Sequence, residues 1–424
     1  MMCGPLPRLL MLSVTCLVLL ASAAPAFADL WATSVDPYGT GSTVDPTRYN
    51  KVFRFNTLGI KTEPDIDAGP TGPVYPTGIA VAPNGNIYVS SVGTGSIMFY
   101  DGQSGAPLTL GANPPGLFAT LGTAAPAQMA IGPDGDLYVS EFFGTNVRVF
   151  DPNTGDDLGF AAQGLESAGG LAFGPDGALY VGDGFIMAPE DSARIVRVHE
   201  GTQSTYGISD MGMLSSPTGL QFLPNGDLLV ADLLGNYVGR FSDNGFGFAP
   251  FAFIPPEIPE PLPPGVLVPS NNPSDIDFDE DGNILISVLG LTSPPDNRSA
   301  LLRYTLDGTP LAPLAEGLEP VGAIAWTPSL KTLAGDYDGD DDVDSDDYSE
   351  WKLDFGKWVA AGNGADGNGN GIVDAADYTV WRNNLGVGPS SGFAASAPEP
   401  STSLLVIVGM MLALGARSKK LFRN

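Results

Sequence analysis

The chain has 424 residues and a formal net charge of −29, from 48 acidic against 19 basic side chains. A phosphate backbone demands Lys and Arg, so this acidity excludes a nucleic-acid partner. The length accommodates one large domain and a small second one, and 55 glycines and 38 prolines set between short apolar runs describe many short strands joined by turns.

Residues 1–28 read as a secretory signal peptide: a basic Arg8, an apolar run from Leu9 to Leu20, and a small-residue end at Ala26-Phe27-Ala28. Cleavage is expected before Asp29. Both cysteines, Cys3 and Cys16, fall inside this leader, so the exported body is expected to carry neither disulfide nor thiol chemistry. Ser13-Val14-Thr15 makes a poor lipobox ahead of Cys16.

A repeat fills residues 76–290, within a body expected over 29–330. Pro76-Thr77-Gly78-Ile79-Ala80-Val81-Ala82-Pro83-Asn84-Gly85-Asn86-Ile87-Tyr88-Val89-Ser90 is the first clear copy. Its core returns as Met129 to Ser140, Leu171 to Asp183, Leu220 to Asp232 and, more loosely, Ile276 to Val288. The turn glycines Gly85, Gly135, Gly177, Gly226 and Gly282 are 42 to 56 residues apart, the spacing of propeller blades. In each copy a strand meets Pro-Asn-Gly or Pro-Asp-Gly. Proline presets the turn, and the Asn/Asp-Gly pair is expected to supply the positive φ angles of a tight hairpin. A second strand leaves and a third follows, as in Ser96 to Tyr100, Asn146 to Phe150 and Arg194 to Val198. One such sheet cannot cover its own faces, so several must stack around an axis.

The two ends of the body are expected to share a blade. Pro320 to Pro328 reads as a first strand without a following partner, Leu30 to Ser34 as a second, and Lys51 to Phe55 as a third. Five internal copies and this composite make six blades, or seven if the segment Gly245–Pro273 hides strands. The repeat resembles the NHL and SMP-30/gluconolactonase-like propellers. Lactonase-type members hold a divalent metal with a Glu, an Asn and an Asp. Asp232 stands where that aspartate would, but Thr218 occupies the place of the Asn, which argues against a lactonase. Asp183, Asp232 and Glu141 at strand ends read as loop hydrogen-bonders, with a ligand role as the alternative. His199 is the only histidine and follows an apolar strand, so it reads as a surface residue rather than a general base.

The clearest chemistry lies in residues 335–388. Asp336 to Asp347 and Asp366 to Asp377 are two twelve-residue loops in phase. Oxygen ligands fall at position 1 (Asp336, Asp366), position 3 (Asp338, Asn368), position 5 (Asp340, Asn370) and position 12 (Asp347, Asp377), with a backbone carbonyl at position 7 from Asp342 and Ile372. Calcium needs six to eight oxygens, and this spacing wraps them round one ion, so two Ca²⁺ are expected. A helix follows each loop, with Tyr348, Trp351 and Phe355 on one apolar face and Tyr378, Trp381 and Leu385 on the other. The faces are expected to pack together, with Gly356 and Gly386 as stops. The crowding of carboxylates predicts that loop one orders only as calcium loads. This duplicated EF-hand-like loop-helix unit resembles a type I dockerin. That resemblance implies a cohesin-like or envelope-protein partner and attachment to a polysaccharide-degrading assembly.

Residues 389–400 form a linker that ends in Pro398-Glu399-Pro400, and 401–424 carry an apolar run from Leu404 to Ala416 followed by Arg417, Lys419, Lys420 and Arg423. The run predicts a C-terminal transmembrane helix, shorter than the ~20 residues of a comfortable span, with the basic end cytoplasmic. It resembles the PEP-CTERM sorting signal, which implies an exosortase-type enzyme and membrane contact before processing. A simple tail anchor is the alternative.

The expected fold is therefore all-β: a six-bladed β-propeller, a small α-helical dockerin/EF-hand-like domain and a C-terminal transmembrane helix. The expected function is that of an exported, surface-displayed calcium-binding protein whose propeller binds a protein or glycan. The alternative is an extracellular propeller enzyme, lactonase or carbohydrate-active, delivered by the dockerin-like module.

Overall fold

A computed structural model describes residues 29–34, 50–67, 72–122, 124–142, 144–184, 192–253, 271–279, 281–290, 299–327, 333–339, 342–359, 362, 364–369 and 371–388. The expected leader, the Pro398-Glu399-Pro400 linker and the C-terminal apolar run lie outside these residues. Among the described residues no helix is long and apolar enough to cross a membrane.

The chain begins with β1 (Asp29–Ser34), β2 (Val52–Phe55) and β3 (Lys61–Ile66). Blade 1 follows as β4 (Ile79–Val81), β5 (Ile87–Ser91), β6 (Ser96–Tyr100) and β7 (Leu117–Thr120). Blade 2 is β8 (Ala125–Ile131), β9 (Leu137–Phe142), β10 (Val147–Phe150) and β11 (Asp157–Ala162). Blade 3 is β12 (Ala168–Phe173), β13 (Leu179–Asp183), β14 (Arg194–His199) and β15 (Thr202–Thr205). Blade 4 is β16 (Pro217–Phe222), β17 (Leu228–Asp232), β18 (Tyr237–Ser242) and β19 (Gly247–Phe253). Blade 5 is β20 (Asn271–Phe278), β21 (Ile284–Gly290), β22 (Ser299–Tyr304) and β23 (Ala315–Leu318), and β24 (Val321–Thr327) completes the ring.

Six four-stranded antiparallel sheets result, and the sixth is ordered β24-β1-β2-β3, so both ends of the body build it. The described residues place no seventh blade in the segment 245–273; β19 there is the fourth strand of blade 4. The fourth strand of every blade is an addition to the sequence reading, which saw three.

The hairpins differ from expectation in one respect. Gly85 has φ +81° and Gly282 φ +78°, but Asn84 and its counterparts stay at negative φ. The turn is a four-residue one closed by Gly85 N–H to Ala82 C=O (2.8 Å), with only the glycine left-handed. Asn84 contributes through its side chain instead, its Oδ1 accepting the Asn86 N–H at 3.1 Å.

Burial follows the interfaces between blades. Each of the six gaps holds its own apolar cluster, for example Phe118, Leu137 and Phe150 between blades 1 and 2, and Leu30, Phe55 and Ile286's neighbour Leu285 between blades 5 and 6. A repeated aromatic pair stitches the inner layer: Phe173 meets Tyr138 edge-on at 4.9 Å, and Phe222 meets Tyr180 at 4.7 Å.

Beyond the ring lie α1 (Ser345–Asp354) and α2 (Ala375–Asn384). Each starts on a capping box, Asp344 with Asp347 and Asp374 with Asp377, which fixes where the preceding loop ends.

Candidate functional site

The two loop-helix units are related by an internal two-fold pattern. Trp351 Nε1 donates to Asp374 C=O at 2.8 Å, and Trp381 Nε1 donates to Asp344 C=O at 2.7 Å. Val343 N–H bonds to Val387 C=O, while Val373 N–H bonds to Lys357 C=O. Tyr348 stacks on Trp381 at 4.9 Å, and Trp351 lies 5.3 Å from Tyr378. The helix faces therefore pack as expected through Tyr348, Trp351, Tyr378 and Trp381. Phe355 and Leu385 follow the last helical residue and stay 55% and 53% exposed; Phe355 still meets Trp351 edge-on at 5.1 Å, at the rim of the packed face.

Each loop turns its first and last carboxylates inward. Asp336, Asp347 and Asp366 are 1% exposed and Asp377 0%. Position 12 is held identically in both copies: Asp347 Oδ2 accepts the Asp344 N–H (2.6 Å), and Asp377 Oδ2 accepts the Asp374 N–H (2.7 Å). The other oxygen reaches back across the loop, Asp347 Oδ1 to Asp338 N–H at 3.2 Å and Asp377 Oδ1 to Asn368 N–H at 3.0 Å. Position 1 is held as well. Asp336 Oδ1 accepts Gly339 N–H, and Asp366 Oδ2 accepts both Gly362 and Gly371 N–H at 2.7–2.8 Å. Gly339 and Gly369, both at position 4, have φ of +77° and +73°, the conformation that folds each loop back over its first carboxylate.

The carboxylate oxygens of Asp336, Asp338 and Asp347 lie within 4.8 Å of one another, and those of Asp342, Asp344 and Asp347 do likewise. Asp342 thus brings its side chain as well as the expected carbonyl. Asp340 and Asn370, together with Asp341, lie outside the described residues. In loop two, Ile372 forms an antiparallel bridge with Trp358. Desolvation is the main influence on Asp377 and lifts its carboxyl above the usual range, against the pull of the Asp374 and Asn368 N–H groups. Burying four acids in so small a unit is costly unless a cation joins them. The donors are all oxygen, at the spacing a hard divalent ion takes, so the residues present fit Ca²⁺.

The second concave feature is the propeller channel, a space of about 170 Å³ bordered by all six inner strands. Its polar groups include Gln128, Thr218, Gln221, Asp275 and Asp277. Asp275 and Asp277 alternate along β20, which puts both on the channel face. They keep partial contact with channel water yet are enclosed by protein on every side, and this desolvation pushes both carboxyls up to about 7. Asp275 Oδ2 accepts the Ile324 N–H of blade 6 at 3.0 Å, and Asp277 Oδ2 the Trp326 N–H at 3.4 Å. The sequence reading missed this pair; its signal is the Ser-Asp-Ile-Asp-Phe run, where the other copies carry glycine, alanine or an uncharged glutamine (Gln128, Gln221).

Asp183 and Asp232 are loop hydrogen-bonders. Asp232 accepts Ser215, Ser216 and Gly235 N–H at 2.7–3.0 Å, and Asp183 accepts Glu166 and Ser167 N–H and pairs with Arg194. Glu141 pairs with Arg148 and Asn146. Thr218 faces the channel and directs its hydroxyl to Ala231 C=O at 3.4 Å. His199 ends β14 opposite Thr202, half-buried.

No protein-family model and no curated protein matches the chain. Solved structures do. A protein of unknown function from Bacteroides caccae is 12% identical, covering 71% of this chain and 99% of that one, with a TM-score of 0.48. The nidogen/laminin complex is 13% identical with the same coverage and a TM-score of 0.49. Regucalcin, a calcium-binding protein from Agrobacterium tumefaciens, is 19% identical over 57% of this chain and 74% of that one, with a TM-score of 0.42. At such identities the similarity does not extend to the residues of a site.

Proposed function

We propose that the chain is an exported, surface-displayed calcium-binding protein: a propeller that serves as a binding scaffold for a protein or glycan, joined to a dockerin-like module that holds two Ca²⁺ and docks onto an envelope or cohesin-like partner. The observation that supports it best is the duplicated burial of position-1 and position-12 carboxylates, Asp336 with Asp347 and Asp366 with Asp377. Loop one would use Asp336, Asp338, Asp340, Asp342 and Asp347; loop two would use Asp366, Asn368, Asn370, Ile372 and Asp377. Export and display rest on the leader-like start and the Pro-Glu-Pro tail, with an exosortase-type enzyme as the processing partner.

Titration calorimetry of the full chain with Ca²⁺ is expected to show two sites, reduced to one in the double variant Asp366→Asn, Asp377→Asn. No heat at millimolar calcium would end this reading. The half-buried Asp275 and Asp277 pair on the channel face, poised near neutral pH, supports a second one: a channel enzyme using a carboxyl as acid or base. Turnover of a lactone or polysaccharide panel that is lost in Asp277→Asn would favour it.

A further inference from the structure

All inner strands run the same way round the axis, so the five inner hairpins, represented by residues 82–86 and 279–283, ring one mouth of the channel. The C-terminal module lies on this mouth. Trp358 packs against the apolar clusters of both the blade 3–4 and the blade 4–5 gaps, its ring 6.2 Å from Phe278. Its carbonyl oxygen sits over the blade 5 turn, 2.7 Å from where a side chain on Gly282 would begin. Gly369 of loop two meets Pro83 on blade 1, at 3.4 Å from an added Cβ. In a six-membered ring blade 1 stands opposite blade 4, so a body that touches both crosses the axis.

The seat for Trp358 comes from a break in the aromatic stitching. Where Tyr138 and Tyr180 meet Phe173 and Phe222, the equivalent partner of Phe278 is the smaller Leu229, and Trp358 supplies the second ring. Trp358 is no part of the module's own core, which is Tyr337, Val359, Ala365 and Val373 flanked by Trp351 and Trp381. It is wired to the second loop instead. Asp366 Oδ2 holds the Gly371 N–H at 2.7 Å, Gly371 C=O holds the Val359 N–H at 3.1 Å, and Trp358 bridges to Ile372.

We propose that the module is a calcium-set cap on this mouth, with Trp358 as its latch and loop two as the sensor. The inference rests on the calcium reading above and adds to it an intramolecular partner, the ring of inner hairpins. With loop two ordered, Ile372 and Gly371 hold the 357–359 segment in the extended form that seats Trp358. With loop two unloaded, Asp366 and Asp377 repel and that segment loses its bridge.

The test is hydrogen–deuterium exchange on the full chain in calcium and in chelator, beside calorimetry on the same sample. Exchange at residues 279–285 and 82–86 is expected to slow about tenfold or more with calcium. Trp358→Ala should abolish that slowing while the calcium heat remains. A second measurement is Pro83→Cys with Gly369→Cys: the Cβ separation of 3.4 Å is within a few tenths of an ångström of the ~3.8 Å of a disulfide, so oxidation should join them faster in calcium than in chelator. Heat with equal exchange in both conditions, or slowing that persists in Trp358→Ala, overturns the cap and leaves the calcium reading standing. Absence of heat removes the calcium reading itself, and with it any calcium-set latch.

Discussion

Asp275 and Asp277 do their structural task at an electrostatic cost that depends on pH. Blade 6 presents the free edge of β24 to blade 5, and the two carboxylates accept N–H groups of that edge. Their carboxyls sit near 7 when folded, against an ordinary value of 3.8. Between those values the folded chain binds more protons than the unfolded one, so each carboxyl removes stability as pH rises through the window, and the loss is complete above about 7. The displacement sets an upper bound of about 4 kcal/mol per group, and contact with channel water reduces it to about 1–2 kcal/mol. Asp277→Asn is therefore expected to stabilise the chain at pH 8 by that amount and to change it little at pH 4.5, in paired urea titrations of variant and parent. Gly219 shows the opposite constraint. A Cβ there would come 2.6 Å from the Asp275 Cα of the next blade. Gly219→Ala should cost about 1–3 kcal/mol by the same assay, because two backbones rather than a flexible side chain would have to move.

Among the elements, β1 joins the two ends of the ring. It pairs with β24 from Asp29↔Thr327 to Ser34↔Val321, and Thr33 Oγ1 both accepts from Ala323 N–H (2.9 Å) and donates to Ala323 C=O (3.3 Å). Trp31 then ties the closing blade to blade 1 through Nε1 to Gly102 C=O at 3.2 Å. With Asp275 and Asp277 on the other flank, the composite blade is held on both sides. Trp31→Ala should cost about 3–5 kcal/mol, by lost burial and the cavity left, and lower the urea midpoint accordingly. The sequence made this closure legible because β24, β1 and β2 keep the repeat's apolar pattern. It did not reveal the outer strands, since Thr202 to Thr205 is fully exposed and Lys61 to Ile66 is mostly polar, so neither carries a burial pattern. The two acidic loops, with Asp336, Asp347, Asp366 and Asp377 turned inward, were legible from spacing alone. The channel acids and Trp358 were not, because their partners lie in other blades or a separate unit, and no local period reports a contact across some 80 residues of chain.

At the scale of the molecule, two bodies of unequal self-sufficiency share one chain. The propeller closes on itself around six apolar clusters. The module has a core of Tyr337, Val359, Ala365 and Val373, and into it are folded four buried carboxylates. A unit of that size does not stabilise itself by burial, and natural ones rely on a staple such as a metal. The chain's net charge of −29 adds to the opposition, since repulsion across the whole surface falls hardest on the part with least core. On the function proposed above, calcium would reverse both effects at once, by pairing the buried acids and lowering the total charge. Calorimetric melting of the full chain in chelator should therefore split into a lower transition for the module and an upper one for the propeller. Calcium at about 100 times its dissociation constant should raise the lower transition by about 2.7 kcal/mol per site and move the upper one far less. Far-ultraviolet circular dichroism supplies the structural readout: α1 and α2 should lose their signal on chelation at temperatures where the sheets persist. A helix signal indifferent to chelation would show that the aromatic stack of Tyr348, Trp351, Tyr378 and Trp381 suffices without the ion.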